Sequence, residues 1–179
     1  MSWNFETEQF LIRLPVSDQD GAALFKLLSQ SSAAAHIPRL PMTVEAQALD
    51  ELRRIAMRFE TREAAFWLIE RKSDGEVVAR IGVQYINWMM LNAQLQWELS
   101  AECGLEELQE VLPVIVNYLS DDLHLHRLEM RLRTGSDDQS KLLTALGFSH
   151  EGTLPSQMEF EGEDIDLDVY SLLKGELNI

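Results

Sequence analysis

A long apolar helix pattern between two strand patterns occupies the middle of the chain. Apolar residues recur at helical spacing from Leu105 to Leu119, which predicts an amphipathic helix. Residues 95–99 before it and 125–133 after it have strand patterns. Because Pro113 lies inside the helical pattern and has no backbone N–H, we expect the helix to kink or restart there. This unit, in which the central strand leads into the helix, predicts an α/β fold.

The remaining segments complete a β-α-α-β-β-β-α-β-α-β-β order. We expect Ser17 with Asp20 to cap the first helix, Thr43 to cap the second, and Ser136 with Gln139 to cap a short helix that ends at Gly147. The other strands are expected at 10–14, 65–69, 77–86, around 158 and at 167–173. The order predicts one domain over residues 1–179. Its fold class is α/β (α+β), with a mixed, mostly antiparallel sheet of about seven strands and about four helices.

The charge balance excludes some classes of function. Lys and Arg number 15 against 30 Asp and Glu, giving a net charge of −15. We therefore expect no nucleic-acid partner, because phosphate contacts need a basic surface; the acidity favours amine partners or serves solubility. No apolar run approaches the roughly 20 residues of a membrane span, and no signal-peptide pattern is present, so we expect a cytoplasmic protein without a membrane partner. The single Cys103 excludes an internal disulfide and a Cys-pair zinc site.

A series of short motifs runs through the second half of the chain. In order they are Leu125-His126-Arg127-Leu128-Glu129, Asp137-Asp138-Gln139-Ser140, Leu146-Gly147-Phe148, Glu151-Gly152, Asp166 and Tyr170-Ser171-Leu172. In this order and spacing the chain resembles the GNAT superfamily of acyl-CoA N-acyltransferases, and within it the ribosomal-protein N-acetyltransferase branch. The resemblance covers roughly residues 67–173 and extends more weakly over the first strand and two helices.

The resemblance implies a fold, a donor and two catalytic residues. A V-shaped opening is expected between the fourth and fifth strands, where acetyl-CoA lies and gives its acetyl group directly to an amine. Glu159 maps onto the general base that takes the amine proton, and Ser140 onto the donor that protonates the leaving thiolate. Each residue also has a simpler interpretation. Glu159 lies in an acidic tail of solvated carboxylates, and Ser140 serves the first turn of a helix.

The cofactor loop is where the sequence departs from the family. The family pattern Gln/Arg-x-x-Gly-x-Gly/Ala falls here on Ala101, Gly104 and Glu106, so only its first glycine is present. Neighbouring acids would repel the pyrophosphate by about 0.6–2.4 kcal/mol per pair at about 7 Å, although acids also stabilise a helix N-terminus. The resemblance implies seven cofactor-binding residues: Leu99, Cys103, Gly104, Leu105, Glu106, Asp137 and Ser140.

Two functional hypotheses follow. The first is an N-acetyltransferase that moves an acetyl group from acetyl-CoA to a small-molecule or peptide amine, such as a protein N-terminus. The second is a GNAT-fold protein that has lost CoA binding and acts as a binding or regulatory module. Ser140 and Glu159 favour the first, whereas Ala101, Glu106 and Asp137 favour the second.

Other residue clusters are weighed against simpler roles. His124 and His126 share a strand face, but no third ligand lies near in sequence, so we expect no metal. Cys103 borders the cofactor loop, but direct transfer needs no nucleophile. The apolar hairpin tip at residues 85–91 is expected to line an acceptor pocket, to form a homodimer contact, or to pack in the core. Arg131 and Arg133 offset the acidic loop or pair with nearby acids.

Overall fold

The secondary structure follows the order expected from the sequence. The computed structural model describes residues 2–30 and 37–178. Its helices are α1 (Gly21–Leu28), α2 (Glu45–Glu60), α3 (Leu105–Asn117) and α4 (Asp137–Ala145). Its strands are β1 (Phe5–Glu6), β2 (Phe10–Arg13), β3 (Ala64–Arg71), β4 (Val77–Asn87), β5 (Asn92–Leu99), β6 (Arg127–Arg133), β7 (Ser149–Phe160) and β8 (Glu163–Leu173). None of the helices in this part of the chain is long and apolar enough to cross a membrane.

The eight strands form one sheet in the order β1-β2-β3-β4-β5-β6-β8-β7. β5 and β6 run parallel, and the other neighbouring strands pair antiparallel. The α3 crossover produces the parallel pair, because a helix returns the chain to the end of the sheet from which β5 starts. The expected mixed, mostly antiparallel sheet is confirmed. The strand beyond the expected seven is the two-residue β1.

Alternating side chains of the strands supply a core on each face of the sheet. In β3, Trp67 and its alternate neighbours belong to the core beneath α3 and α4. Phe66 and its alternate neighbours belong to the smaller core beneath α1 and α2. Strands buried on both faces read as continuous apolar runs, which explains the uninterrupted sequence Ala64–Ile69. The sheet therefore separates two apolar cores, one packed against α3 and α4 and the other against α1 and α2.

All three predicted side-chain caps are wrong. At α4, Ser136 is the N-cap residue but its side chain makes no capping hydrogen bond, and Gln139 accepts one from Trp97. α1 begins at Gly21, and the Asp20 carboxylate binds Arg13 in two hydrogen bonds of 2.8 Å and the Val16 amide at 2.6 Å. This ion pair prevents Asp20 from capping with Ser17. α2 begins at Glu45, and its N-terminus is capped by the Gln47 side chain, which accepts a hydrogen bond from the Thr43 amide at 2.8 Å. Thr43 is therefore a donor to the cap and not the cap.

α3 ends in a π-helical turn, and α4 ends shortly before a glycine with a left-handed backbone. α3 passes through Pro113 without a break and continues into a π-helical turn at Tyr118–Asp122, so the predicted restart is wrong. α4 ends two residues before Gly147, which has φ +99°. A Cβ at Gly147 would lie 2.3 Å from the Glu176 carbonyl oxygen. Glycine is therefore required there both by the left-handed backbone and by the close approach of the C-terminal segment.

Candidate active site

The parallel strands separate shortly after they begin to pair. Their pairing covers only residues 92–94 of β5 and residues 127–129 of β6. Beyond this point β5 continues along β4 and β6 along β8, so the two strands diverge. Within the described residues, the strand pairing between β5 and β6 does not extend beyond residue 94 of β5. A V-shaped opening therefore lies at the expected place, with backbone amides and carbonyls along one arm.

The first turn of α4 connects both arms of this opening. The Ser140 hydroxyl forms a short hydrogen bond with the phenol of Tyr170, a buried residue of β8 that pairs with Met130 of β6. The preceding residue, Gln139, accepts a hydrogen bond of 2.9 Å from the indole of Trp97 in β5. Ser140 is thus held at the opening by a partner from outside its own helix. Because an O–H group bonded to a second O–H group can pass a proton along, the pair is suited to proton donation.

Glu159 lies in a different part of the molecule. It is exposed near the tip of the β7–β8 hairpin, where it pairs with Asp164. Asp164 is six residues from Tyr170 along β8, a separation of about 20 Å in an extended strand. A general base must come within hydrogen-bond reach of the proton it takes, or within one water of it. The structure therefore does not bring Glu159 and Ser140 together, and the base assignment stays a prediction.

The expected cofactor loop lies at the end of β5 and the start of α3. Leu99 is the buried last residue of β5, and Cys103 is buried in the turn that follows. Gly104 precedes α3, Leu105 is its first residue, and Glu106 is exposed in its first turn. At the first residue of α4, Asp137 is also exposed. Leu99, Gly104 and Leu105 border the open arm of β5, as a donor-binding loop requires.

A carboxylate of the protein already occupies the N-terminus of α3. The Gly104 amide donates a hydrogen bond of 2.8 Å to Glu107 Oε2. A Cβ added at Gly104 would meet only this carboxylate, at 3.8 Å, so packing does not require glycine here. Helix N-termini attract anions because their first amides lack partners inside the helix. The amide at the start of α3 is therefore already bonded to a carboxylate of the protein and not open to another anion.

Other acids of the loop are partly neutralised. One of them, Glu102, forms an ion pair with Arg71 at 2.8 Å.

The Cys103 thiol lies in the same turn. Burial, followed by the nearby Glu107 charge, raises the pKa of this thiol to about 12. A thiol that stays protonated at neutral pH is a poor nucleophile. This property agrees with a reaction in which Cys103 is not covalently modified.

The opposite face of β5 holds a buried ion network that the sequence analysis missed. The Arg80 guanidinium donates two hydrogen bonds to Glu98, at 2.8 and 2.9 Å, and a third to Glu51 of α2 at 2.6 Å. Arg80 and Glu98 are each only 1% exposed. The sequence could have predicted this network from the charged residues within otherwise apolar strands, since buried charges are rare unless they are paired.

The structure bears on two smaller expectations, those for the hairpin tip and for the arginines of β6. The expectation of no metal stays a prediction; within the described residues, no group of three His, Cys, Asp or Glu side chains is placed to hold a metal ion. At the β4–β5 hairpin tip, Met89 is 93% exposed and Met90 68% exposed, so core packing is wrong for these two. Arg131 pairs with Glu129 at 2.9 Å, and Arg133 with Glu163 at 3.7 Å, as expected of bases that neutralise nearby acids.

Comparison with known proteins decides the family. Residues 9–149 match the family model described as the acetyltransferase (GNAT) domain. The chain belongs to the GNAT acetyltransferase family. The resemblance found in its motifs is thus confirmed, and the protein is an enzyme of this family.

Relatives and solved structures agree with this assignment. The "Uncharacterized N-acetyltransferase YoaA" of Bacillus subtilis (strain 168) is 26% identical over 170 residues, which are 94% of this chain and 96% of the relative. A ribosomal-protein-S5-alanine acetyltransferase from Vibrio fischeri has a similar structure, with a TM-score of 0.82 at 16% identity, covering 99% of this chain and 100% of that one. The ribosomal L7/L12 acetyltransferase RimL, in complex with coenzyme A, gives 0.82 at 14% identity, covering 93% and 95%. At these identities the structures establish the shared fold.

Proposed function

We propose that this acetyltransferase moves an acetyl group from acetyl-CoA to an amine by direct transfer. The observation that carries the proposal is the Ser140–Tyr170 hydrogen bond at the opening between β5 and β6. It provides a proton donor at the point where β5 and β6 separate and where an extended donor would enter. The RimL structure with coenzyme A supports the choice of donor, because that protein has the same fold.

Starting from an ammonium ion, the nitrogen must lose two protons, one before it attacks and one from the tetrahedral intermediate, and the departing sulfur must gain one. The amine nitrogen attacks the thioester carbonyl carbon, the tetrahedral intermediate collapses, and the carbon–sulfur bond breaks. The Ser140 hydroxyl gives its proton to the departing sulfur, and Tyr170 is placed to give a proton back to Ser140. The amine must lose the first proton before the attack, because a protonated nitrogen has no lone pair. Glu159 is the base that the family resemblance predicts, and substitution tests that role.

The donor is held in this proposal by the arm of β5 and by the start of α3. The backbone of β5 beyond residue 94, where its pairing with β6 ends, accepts the extended thioester arm as a neighbouring strand would. Leu99, Cys103, Gly104, Leu105 and Glu106 border its phosphate end, whereas Asp137 and Ser140 border its thioester end. The Glu107 carboxylate competes with the pyrophosphate for the α3 amides. We therefore expect weaker donor binding than a neutral loop would give.

The acceptor is proposed to be a small-molecule or peptide amine, including a protein N-terminus. Solved structures with this fold include acetyltransferases named for ribosomal proteins, which supports a protein amine. The homodimer and the cytoplasmic location are likewise proposals. Sedimentation of the purified protein tests the first, and fractionation of cells tests the second.

Calorimetric titration with acetyl-CoA at moderate salt is the first experiment. We expect a micromolar dissociation constant, followed by amine-dependent release of thiol in an acceptor screen. Absence of binding at millimolar acetyl-CoA would overturn the proposal and leave the non-catalytic module as the interpretation.

Variants then test the two catalytic roles. Ser140→Ala should lower kcat by about 10²-fold or more, because general acid catalysis contributes about 10²–10⁴-fold. Ser136→Ala is the matched control, since Ser136 is the N-cap of the same helix and its side chain makes no capping hydrogen bond. Glu159→Gln removes the predicted base without changing its size. A comparable loss of kcat with an altered pH profile would support that role, and an unchanged profile would exclude it.

A further inference from the structure

A polar pocket lies on the side of β5 opposite to α4. It has a volume of about 340 Å³. Its walls come from the segment before α2, from α2 and from β4 and β5, with the side chains of Arg39, Arg54, Arg80, Gln96 and Glu98 among them. Gln96 and Glu98 belong to the part of β5 that has separated from β6. The pocket therefore adjoins the V-shaped opening from the face that Ser140 does not occupy.

The described residues give this pocket a local excess of positive charge. Three guanidinium groups line it, whereas only two carboxylates do, those of Glu51 and Glu98. Asp50 lies at the neighbouring rim, where it pairs with Arg53 at 3.3 Å. The chain as a whole carries a net charge of −15. A cationic pocket on so acidic a protein is a specific local arrangement and not a consequence of composition.

Of the three guanidinium groups, that of Arg39 makes the longest contact with these carboxylates. The Glu98 carboxylate is already held by Arg80 at 2.8 and 2.9 Å and by Gln96 at 2.8 Å. Arg39 reaches it only at 3.4 Å, and this is the one hydrogen bond of the Arg39 side chain within the described residues. Burial, together with the neighbouring Arg80 and Arg54 charges, lowers the pKa of Arg39 despite the opposing effect of Glu98. Its guanidinium is 30% exposed and has N–H groups to offer to a ligand.

We propose that the acceptor amine carries a carboxylate and that Arg39 binds this carboxylate. The inference rests on the proposed acetyl transfer and narrows its substrate class. A guanidinium binds a carboxylate through two parallel hydrogen bonds, which fixes the orientation of the ligand as well as its charge. With the carboxylate at Arg39, the amine extends along β5 toward the opening. A diamine of the same length would instead bring a second cation to a pocket that already has one in excess.

The carboxylate has two chemical sources, and two probe series separate them. The first series compares β-alanine, 4-aminobutyrate and 6-aminohexanoate with propylamine, butylamine and hexylamine, and with diamines of matching length. The second compares the peptide amide Ser-Asp-Gly with Ser-Asn-Gly, in which only the side-chain charge differs. For each probe, kcat/KM is measured by thiol release, and binding without acetyl-CoA is measured by calorimetry. A preference confined to one series identifies a free amino acid or an acidic peptide as the source.

We expect the best carboxylate probe to exceed its neutral counterpart by about 10-fold or more in kcat/KM, as is typical of one charge-assisted hydrogen-bonded contact. Arg39→Gln should reduce this preference to less than about twofold, and Arg39→Lys should restore part of it. Lys174→Gln is the control, because it also removes one positive charge, at an exposed site beyond the end of β8, where Lys174 pairs with Asp121 at 2.8 Å. A thermal melt of each variant verifies folding.

Three results would overturn the inference. They are equal use of charged and neutral probes, a preference for diamines, and a carboxylate preference that persists in Arg39→Gln. The calorimetric measurement keeps this test separate from the proposed function. If acetyl-CoA does not bind, acetyl transfer fails, but binding of the carboxylate probes to wild type and to Arg39→Gln still decides the role of Arg39.

Discussion

From the Glu107 carboxylate at the start of α3 we predict how one substitution changes the affinity for acetyl-CoA. The family resemblance alone does not predict this change. Glu107 accepts a hydrogen bond from the Gly104 amide at 2.8 Å, in the position that an anionic ligand would use. Glu107→Gln keeps the size and the hydrogen-bond acceptor but removes one negative charge. We expect this substitution to strengthen acetyl-CoA binding, because the pyrophosphate no longer meets a fixed carboxylate.

The expected magnitude follows from the geometry. A phosphate bonded to the same turn would lie about 6 Å from the Glu107 charge, where repulsion is about 0.7 kcal/mol at an effective dielectric of about 80 and about 2.8 kcal/mol at about 20. These energies correspond to about 3-fold and about 100-fold in the dissociation constant. The same substitution removes a favourable interaction with the helix dipole, of about 0.3–1 kcal/mol. Affinity should therefore rise while the free energy of unfolding falls slightly.

Calorimetry with acetyl-CoA and urea unfolding measure the two effects in parallel. Glu60→Gln is the control, since it makes the same change in net charge at the exposed end of α2. Added salt should reduce the gain in affinity, because screening weakens the repulsion that the substitution removes. Unchanged or weaker donor binding in Glu107→Gln, with normal folding, would refute the idea that this carboxylate competes with the pyrophosphate.

Three further outcomes follow from other contacts. Tyr170→Phe removes the partner of Ser140, so kcat should fall by about 10-fold with little change in the KM for acetyl-CoA, measured by steady-state kinetics. Glu98→Gln takes one of two carboxylate partners from the buried Arg80, which keeps Glu51, and should lower the free energy of unfolding in urea by about 1–3 kcal/mol. Cys103 has a pKa raised to about 12, so at pH 8 only about 10⁻⁴ of it is thiolate. Its alkylation by iodoacetamide should be slow in the native protein, quicken as pH rises, and become fast after unfolding.

The fold was largely predictable because its strongest signals are periodic. The Leu105–Leu119 stripe and the strands around it specify the crossover, and the helices and main strands follow in the expected order. The errors lie at positions where a distant partner intervenes. Asp20 forms an ion pair with Arg13 instead of a helix cap. Local sequence patterns do not report which tertiary partner a polar side chain will choose.

The candidate site was predictable only where a motif fixes a backbone position. The Asp-x-x-Ser motif places Ser140 in the first turn of α4, and that turn reaches the opening as expected. The position of Glu159 depends on the length and register of the β7–β8 hairpin, which has an irregular register between Leu154 and Met158. Arg39 precedes α2 by several residues and meets Glu98 only through tertiary folding. Neither placement could be derived from spacing alone.

Consecutive residues of β5 connect the two sides of the site, and this arrangement predicts how substitutions combine. Trp97 contacts Gln139 on the α4 side, whereas Glu98 contacts Arg39 on the α2 side. Gln139→Ala should therefore affect chiefly the donor, and Arg39→Gln chiefly the acceptor. Effects of sites more than about 7–10 Å apart usually add to within about 0.5 kcal/mol. In the double variant, the free-energy cost calculated from kcat/KM should therefore equal the sum of the two single-variant costs. An interaction energy above about 0.5 kcal/mol in this cycle would mean that β5 transmits strain between the donor and acceptor sites.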